Sequence, residues 1–193
     1  MTEQEKQAAG LPFDGACNEL KNLHFRAQGL IRKLNEVPVD DDNARFEIIK
    51  ELFGRAGKNL RVYLPLRVDF GCNIYTGDNV LINQNCTFLD TNKITIGERV
   101  LIAPDVKIYT ATHPLNAKER YYETNDGCVH IQDMAKPVQI GNDVWVGGGS
   151  IILPGVTIGN NVIVGAGSVV TKNIPDNVIV AGNPARIIKE NKN

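Results

Sequence analysis

Imidazole is scarce in this chain, with three histidines in 193 residues, and aromatic side chains make up only 6%, including a single tryptophan. Its four cysteines, Cys17, Cys72, Cys86 and Cys128, are widely spaced. None forms the Cys-x-x-Cys pair of a zinc knuckle or dithiol redox centre, so free thiols are expected. His24, His113 and His130 form no His-x-x-x-His pair and no closed tetrahedral ligand set can be read, so no bound metal is expected. No apolar run approaches the ~20 residues of a membrane span. The polar opening MTEQEKQAAG also lacks the apolar stretch of a secretion signal, so a cytoplasmic protein is expected. Lys plus Arg number 21 against 22 Asp plus Glu, for a net charge of −1. That balance offers no field to concentrate nucleic acid or an anionic membrane, and any anionic ligand must be met by local cations.

What is present is 42% hydrophobic residues in two textures. From about Ala16 to Asn35, Leu20, Leu23, Ala27, Leu30, Ile31 and Leu34 recur at three- and four-residue steps, which predicts an amphipathic helix ended by Val37 and Pro38. A second helical pattern, Phe46, Ile49, Leu52 and Phe53, follows Asp40-Asp41-Asp42-Asn43, where N-cap candidates and negative charge favour a helix start. Residues 1–58 therefore read as a small helical cap.

Over 59–193 the period becomes six. From Ile140 the chain reads IGNDVW, VGGGSI, ILPGVT, IGNNVI, VGAGSV, VTKNIP. The first positions, Ile140, Val146, Ile152, Ile158, Val164 and Val170, are all β-branched. Val144, Ser150, Val156, Val162, Ser168 and Ile174 follow four positions later, with Gly, Asn and Asp between. Neither an α-helix nor a two-residue strand alternation gives a strict period of six, whereas a coil with three flat faces does. The period is present earlier at Ile74 and Val80 and, shifted in phase, at Ile96, Ile102 and Ile108. It breaks at CTFLDTNK and again over 113–137. The second break is too long for a turn, and long irregular loops in compact domains are disproportionately functional. It begins inside IYTATHPL, where His113 and Pro114 interrupt the repeat.

Hexads of this type resemble the left-handed parallel β-helix of the hexapeptide-repeat acyltransferases. Within them the chain is similar to the maltose and galactoside O-acetyltransferases over nearly its whole length, through FDGAC, DFGCNI, INQNC, IYTATHP, IGNDVWVGG, GAGSVVTK and AGNPARII. The resemblance implies a mainly β fold with an N-terminal helical cap and a C-terminal tail, assembled as a homotrimer with sites at the subunit interfaces. It also implies acetyl transfer from acetyl-coenzyme A to a sugar hydroxyl, with the maltose-like branch favoured because aspartate, not serine, stands at position 69.

By that resemblance His113 is the general base, a role suited to a neutral imidazole whose ordinary pKa of ~6.5 lies near working pH. Asn83 would donate to the acetyl oxygen or hold the acceptor, with a backbone N–H at Gly148 as a second oxyanion donor. Asp69, Asp14 and Asp90 are the acceptor-binding candidates, and for the first two a turn aspartate is the competing reading. Thr91 stands where the galactoside pattern has aspartate. Trp145 would cover part of the pantetheine arm, and Ala166 would give it backbone hydrogen bonds. Thr171, Lys172 and Arg186 would meet the nucleotide phosphates. His24 and His130 read as surface or packing residues.

Other readings are compatible with the residues: acetylation of a galactoside, an antibiotic hydroxyl or serine, or a non-enzymatic sugar-binding scaffold. A zinc hydratase on a similar coil would need three histidines in one site. An acyl-enzyme through Ser150 or Ser168 would need a base beside a buried serine.

Overall fold

The computed structural model describes residues 1–124 and 127–192. The hexads fold into a parallel β-helix with three sheets. One face stacks Arg61–Val62, Leu81–Ile82, Leu101–Ile102, Trp145–Val146, Ile163–Val164 and Val178–Ala181 in parallel, and Arg186–Glu190 closes it antiparallel. The second stacks Leu66–Val68, Cys86–Leu89, Lys107–Tyr109, Ile151–Ile152 and Val169–Val170. The third stacks Ile74–Thr76, Ile94–Ile96, Val138–Ile140 and Thr157–Ile158. The strands are short because each face must turn into the next.

Each hexad sends two side chains inward. Ile140, Val146, Ile152, Ile158, Val164 and Val170 are all buried, and so are Val144, Ser150, Val156, Val162, Ser168 and Ile174. Full burial of each aliphatic side chain is worth ~1.5–3 kcal/mol, so the coil is held mainly by this stack. The two inward serines are satisfied locally: Ser150 Oγ and Ser168 Oγ both donate to the Gly165 carbonyl. Corners between faces use left-handed residues, among them Asn79, Asn161 and Asn177, a conformation Asn tolerates better than most. Arg99 takes the same conformation, with its guanidinium held by both Asp143 oxygens at 2.6 and 2.9 Å.

Three helices precede the coil: α1 (Glu3–Ala8), α2 (Asn18–Glu36) and α3 (Asp42–Leu52). The two predicted helices are α2 and α3, and Asp41 caps α3 by accepting from Ala44 N. The sequence reading missed α1, although Thr2 and Glu5 form a reciprocal capping box at its start. Ala27, Leu30 and Leu34 of α2 and Ile49 and Leu52 of α3 share one continuous core with the first coils. The helices thus close the open end of the coil. Among the described residues no helix is long and apolar enough to cross a membrane.

Candidate active site

The long loop leaves the coil at the corner between the second and third faces. Its two ends are fastened together, because Ala111–Thr112 pairs antiparallel with Met134–Ala135. Farther out, Tyr121–Glu123 pairs with Val129–Ile131. His113 follows the first of these strands, with Pro114 buried beside it. The returning strand brings the Gln132 carbonyl to 3.0 Å from His113 Nδ1. A carbonyl can only accept, so Nδ1 carries the hydrogen and Nε2 keeps its lone pair. The side chain remains half exposed, at 51%.

His113 opens onto a cleft of about 350 Å³. Phe13 and Gly15 of the N-terminal segment form one wall, and Lys21, His24 and Phe25 of α2 another. Asp69, Phe70 and Thr91 come from the coil corner, and Asp133 and Met134 from the loop. A larger recess of about 470 Å³ between α3 and the first coil is lined by Arg45, Arg61 and Tyr63 among others, but its lining includes no histidine and none of the candidate site residues. The histidine and two carboxylates are gathered at the smaller cleft.

Two carboxylates face this cleft. Burial raises the Asp69 pKa, while the Thr91 hydroxyl donating to Oδ2 at 3.1 Å and the nearby His24 ring pull it back down. His24 Nδ1 lies 3.0 Å from the Asp69 carbonyl, so this residue is part of the cleft wall rather than a bystander on the helix. Burial also raises Asp133, opposed by His113 and by the Gly15 N–H donating to Oδ2 at 3.2 Å. Asp133 Oδ1 lies 3.5 Å from His113 Nδ1. Neither Asp133 nor Gln132 was picked out from the sequence, because both sit in a loop with no period to read.

Two expected acceptor residues are placed elsewhere. Asp90 is fully buried, and its carboxylate accepts from Asp69 N at 3.0 Å, Phe70 N at 2.9 Å and Asn73 N at 3.3 Å. Burial pushes its pKa up to about 6. It holds the corner that carries Asp69 and does not line the cleft. Asp14 accepts from Ala16 N and lies 3.5 Å from His130 Nδ1, while its neighbour Gly15 lines the cleft. The fold turns the Asp14 carboxylate toward the hairpin instead.

Asn83, Gly148 and Ala166 lie on a different edge, the corner between the first and second faces. Asn83 Oδ1 accepts from Gln84 N at 2.8 Å, which fixes the amide with its oxygen occupied and its nitrogen left as a donor. Along this edge the middle corner residues are Leu64, Gln84, Pro104, Gly148 and Ala166. The Gln84 N–H is taken by Asn83 and Pro104 has none. Leu64, Gly148 and Ala166 have no acceptor for theirs among the described residues, and the last two are one coil apart. Gly147 is where the coils have no room, since a Cβ there would meet Ala166 N at 2.6 Å, whereas at Gly148 the nearest atoms would be Pro104 O at 3.2 Å and Ala103 Cβ at 3.9 Å.

Trp145 is 51% exposed on the first face, in register between Leu101 and Ile163. Thr171 and Lys172 are exposed above the His113 edge, and Arg186 is exposed on the closing strand with one guanidinium nitrogen donating to the Ala185 carbonyl. Among the described residues no three His, Cys, Asp or Glu side chains are grouped to hold a metal ion.

Comparison with known proteins adds the following. Residues 137–172 match the model of the bacterial transferase hexapeptide (six repeats), and residues 6–57 match the maltose acetyltransferase hexapeptide capping motif. A Dictyostelium discoideum protein named as an acetyltransferase is 46% identical over 98% of this chain and 95% of its own. The crystal structure of a maltose O-acetyltransferase from Clostridium difficile superimposes with a TM-score of 0.92 at 44% identity, covering 100% of this chain and 99% of that one. A hexapeptide-repeat acetyltransferase from Vibrio cholerae, solved with acetyl-coenzyme A, gives a TM-score of 0.87 at 38% identity over 100% of both chains.

Proposed function

The chain belongs to the hexapeptide-repeat acetyltransferases with a maltose acetyltransferase cap, and from that premise we propose that it transfers acetyl from acetyl-coenzyme A to a sugar hydroxyl of the maltose or glucose type. The observation that carries the reading is the Nδ1 contact of His113 with the Gln132 carbonyl, which reserves Nε2 as a base at the mouth of a cleft holding two carboxylates. In this reading Nε2 takes the acceptor's proton as the hydroxyl oxygen bonds to the thioester carbon. The tetrahedral oxyanion is met by the Asn83 amide and the Gly148 N–H. Collapse breaks the carbon–sulfur bond, and the imidazolium returns its proton to the departing thiolate. No acyl-enzyme is required, in keeping with the local bonds that occupy Ser150 and Ser168.

Asp69, steadied by Thr91, would accept hydroxyl hydrogens of the sugar, and Trp145, Ala166, Thr171, Lys172 and Arg186 would line the cosubstrate's path. Because the base and Asn83 stand on different edges of one chain, a complete site takes one from each of two copies. The first face supports such an assembly: Leu81, Leu101, Trp145, Ile163 and Ile179 form an outward apolar ladder in register. On the third face the corresponding positions are the half-buried Tyr75 and the exposed polar residues Thr95, Gln139 and Thr157. A cyclic trimer covers the ladder on every copy. The absence of a disulfide among the described cysteines is compatible with a cytoplasmic enzyme.

His113→Ala tests the assignment. General-base assistance is commonly worth ~10²–10⁴-fold, so kcat should fall by that order while acetyl-coenzyme A still raises the melting temperature. Turnover near wild type would overturn it. Rates on maltose, glucose, galactosides and serine at fixed acetyl-coenzyme A identify the acceptor.

A further inference from the structure

We infer that Asp133 is a positioning residue for His113, holding the ring by charge and stabilising the imidazolium while the acceptor's proton rests on Nε2. The inference rests on the reading of His113 as the base. Its geometric support is independent of any motif. Asp133 Oδ1 stands 3.5 Å from Nδ1, the nitrogen that already donates to the Gln132 carbonyl, so the carboxylate lies on the side of the ring away from the lone pair. It is too far for a strong hydrogen bond to the neutral ring. When the ring becomes positive, the same separation is an ion pair in a partly dried cleft, where opposite charge counts for more than in water.

The N-terminal segment fixes the carboxylate in this place. Phe13 N donates to Asp133 O at 3.0 Å and Asp133 N donates to Phe13 O at 3.3 Å, so the two backbones form a short antiparallel bridge. Gln132 Nε2 also donates to Phe13 O, at 3.1 Å, which ties the residue that orients His113 to the same strand. Gly15 N holds Asp133 Oδ2. Other titratable groups share the cleft with the ring, Asp69 from the coil corner and Lys21 and His24 from α2, while Arg120 of the loop is bound to the Pro114 and Leu115 carbonyls that follow it. Asp14 and His130 lie behind Asp133. Among the described carboxylates, Asp133 is the one within ion-pair distance of His113.

Asp133→Asn removes the charge and keeps an oxygen for Gly15 N, so it separates electrostatics from scaffolding. Because Nδ1 keeps its carbonyl partner and the site is half open, the expected loss in kcat is about 5- to 20-fold, well short of the loss of an orienting aspartate in a fully buried triad. KM for acetyl-coenzyme A should stay within about twofold, since the change is on the acceptor side. The acid limb of the kcat/KM profile and the midpoint of the His113 ring-proton NMR titration should both move to lower pH, because the neutral asparagine no longer favours the protonated ring. Asp133→Glu, which keeps the charge, should restore both toward wild type. An unmoved NMR midpoint in Asp133→Asn overturns the inference whatever the activity does. A moved midpoint in a protein whose His113→Ala form remains active leaves the ion pair standing and removes the base, so the two failures are distinguishable.

Discussion

Asp90 is buried and has no cation partner among the described residues, yet it accepts three backbone N–H groups at the corner that carries Asp69. Desolvation raises its pKa to about 6, against ~3.9 for an unfolded aspartate. Between pH 4 and pH 6 the folded chain therefore keeps a proton that the unfolded chain has released. Stability from this group is fully present below about pH 4 and is lost as pH rises through about 6. Asp90→Asn cannot titrate, so the stability difference between wild type and mutant, followed by urea unfolding, should move against wild type by about 2 kcal/mol from pH 4 to pH 6.5. A difference that stays flat across that window would show that the carboxylate is ionised throughout. His113 was legible in the sequence because it ends a periodic run inside a specific motif. Asp90 was legible only as an acidic residue near the right place, since burial depends on which coil lies above it. Thr91, noted as a departure from the galactoside pattern, supports Asp69 through its hydroxyl.

Among the elements, the hexads were readable because their period has one structural solution, and α2 and α3 because apolar steps and caps agree. The crossing of the N-terminal segment with the returning loop was not readable, because Phe13 and Asp133 are far apart in sequence and neither lies in a repeat. That crossing is nevertheless what builds the cleft. Gly15 is a close approach within it: a Cβ there would fall inside contact distance of Asp133 Oδ2, so the carboxylate would have to swing away from Gly15 N. Gly15→Ala should displace Asp133 and, with it, the wall beside His113. We expect kcat to fall about tenfold, with a stability cost of about 1–2 kcal/mol from the strained contact. Far-UV circular dichroism and the thermal shift with acetyl-coenzyme A should be unchanged, because the coil and its outer edges are remote from the crossing. Loss of the thermal shift as well would mean that the segment supports the coil as a whole.

At the scale of the whole molecule, the position of Asn83 is the strongest constraint. It follows a strand of the first face, whereas His113 follows a strand of the second, so the winding of the coil assigns them to separate edges. Sequence spacing alone could not reveal this, since the residues between INQNC and THP include a break in the repeat and do not say at which corner each motif falls. If the site joins His113 of one copy to Asn83 of the next, damaged subunits should repair each other. Asn83→Ala and His113→Ala, each nearly inactive alone, are refolded together or co-expressed in equal amounts. Each interface then draws its base from one copy and its amide from another at random, so about a quarter of the interfaces carry both intact residues. Activity should recover to about a quarter of wild type per site, far above either parent, and should track the fraction of mixed trimers isolated by differential tagging. Mixed trimers no more active than their parents would place both residues in the site of a single chain, and the apolar ladder on the first face would then need another explanation.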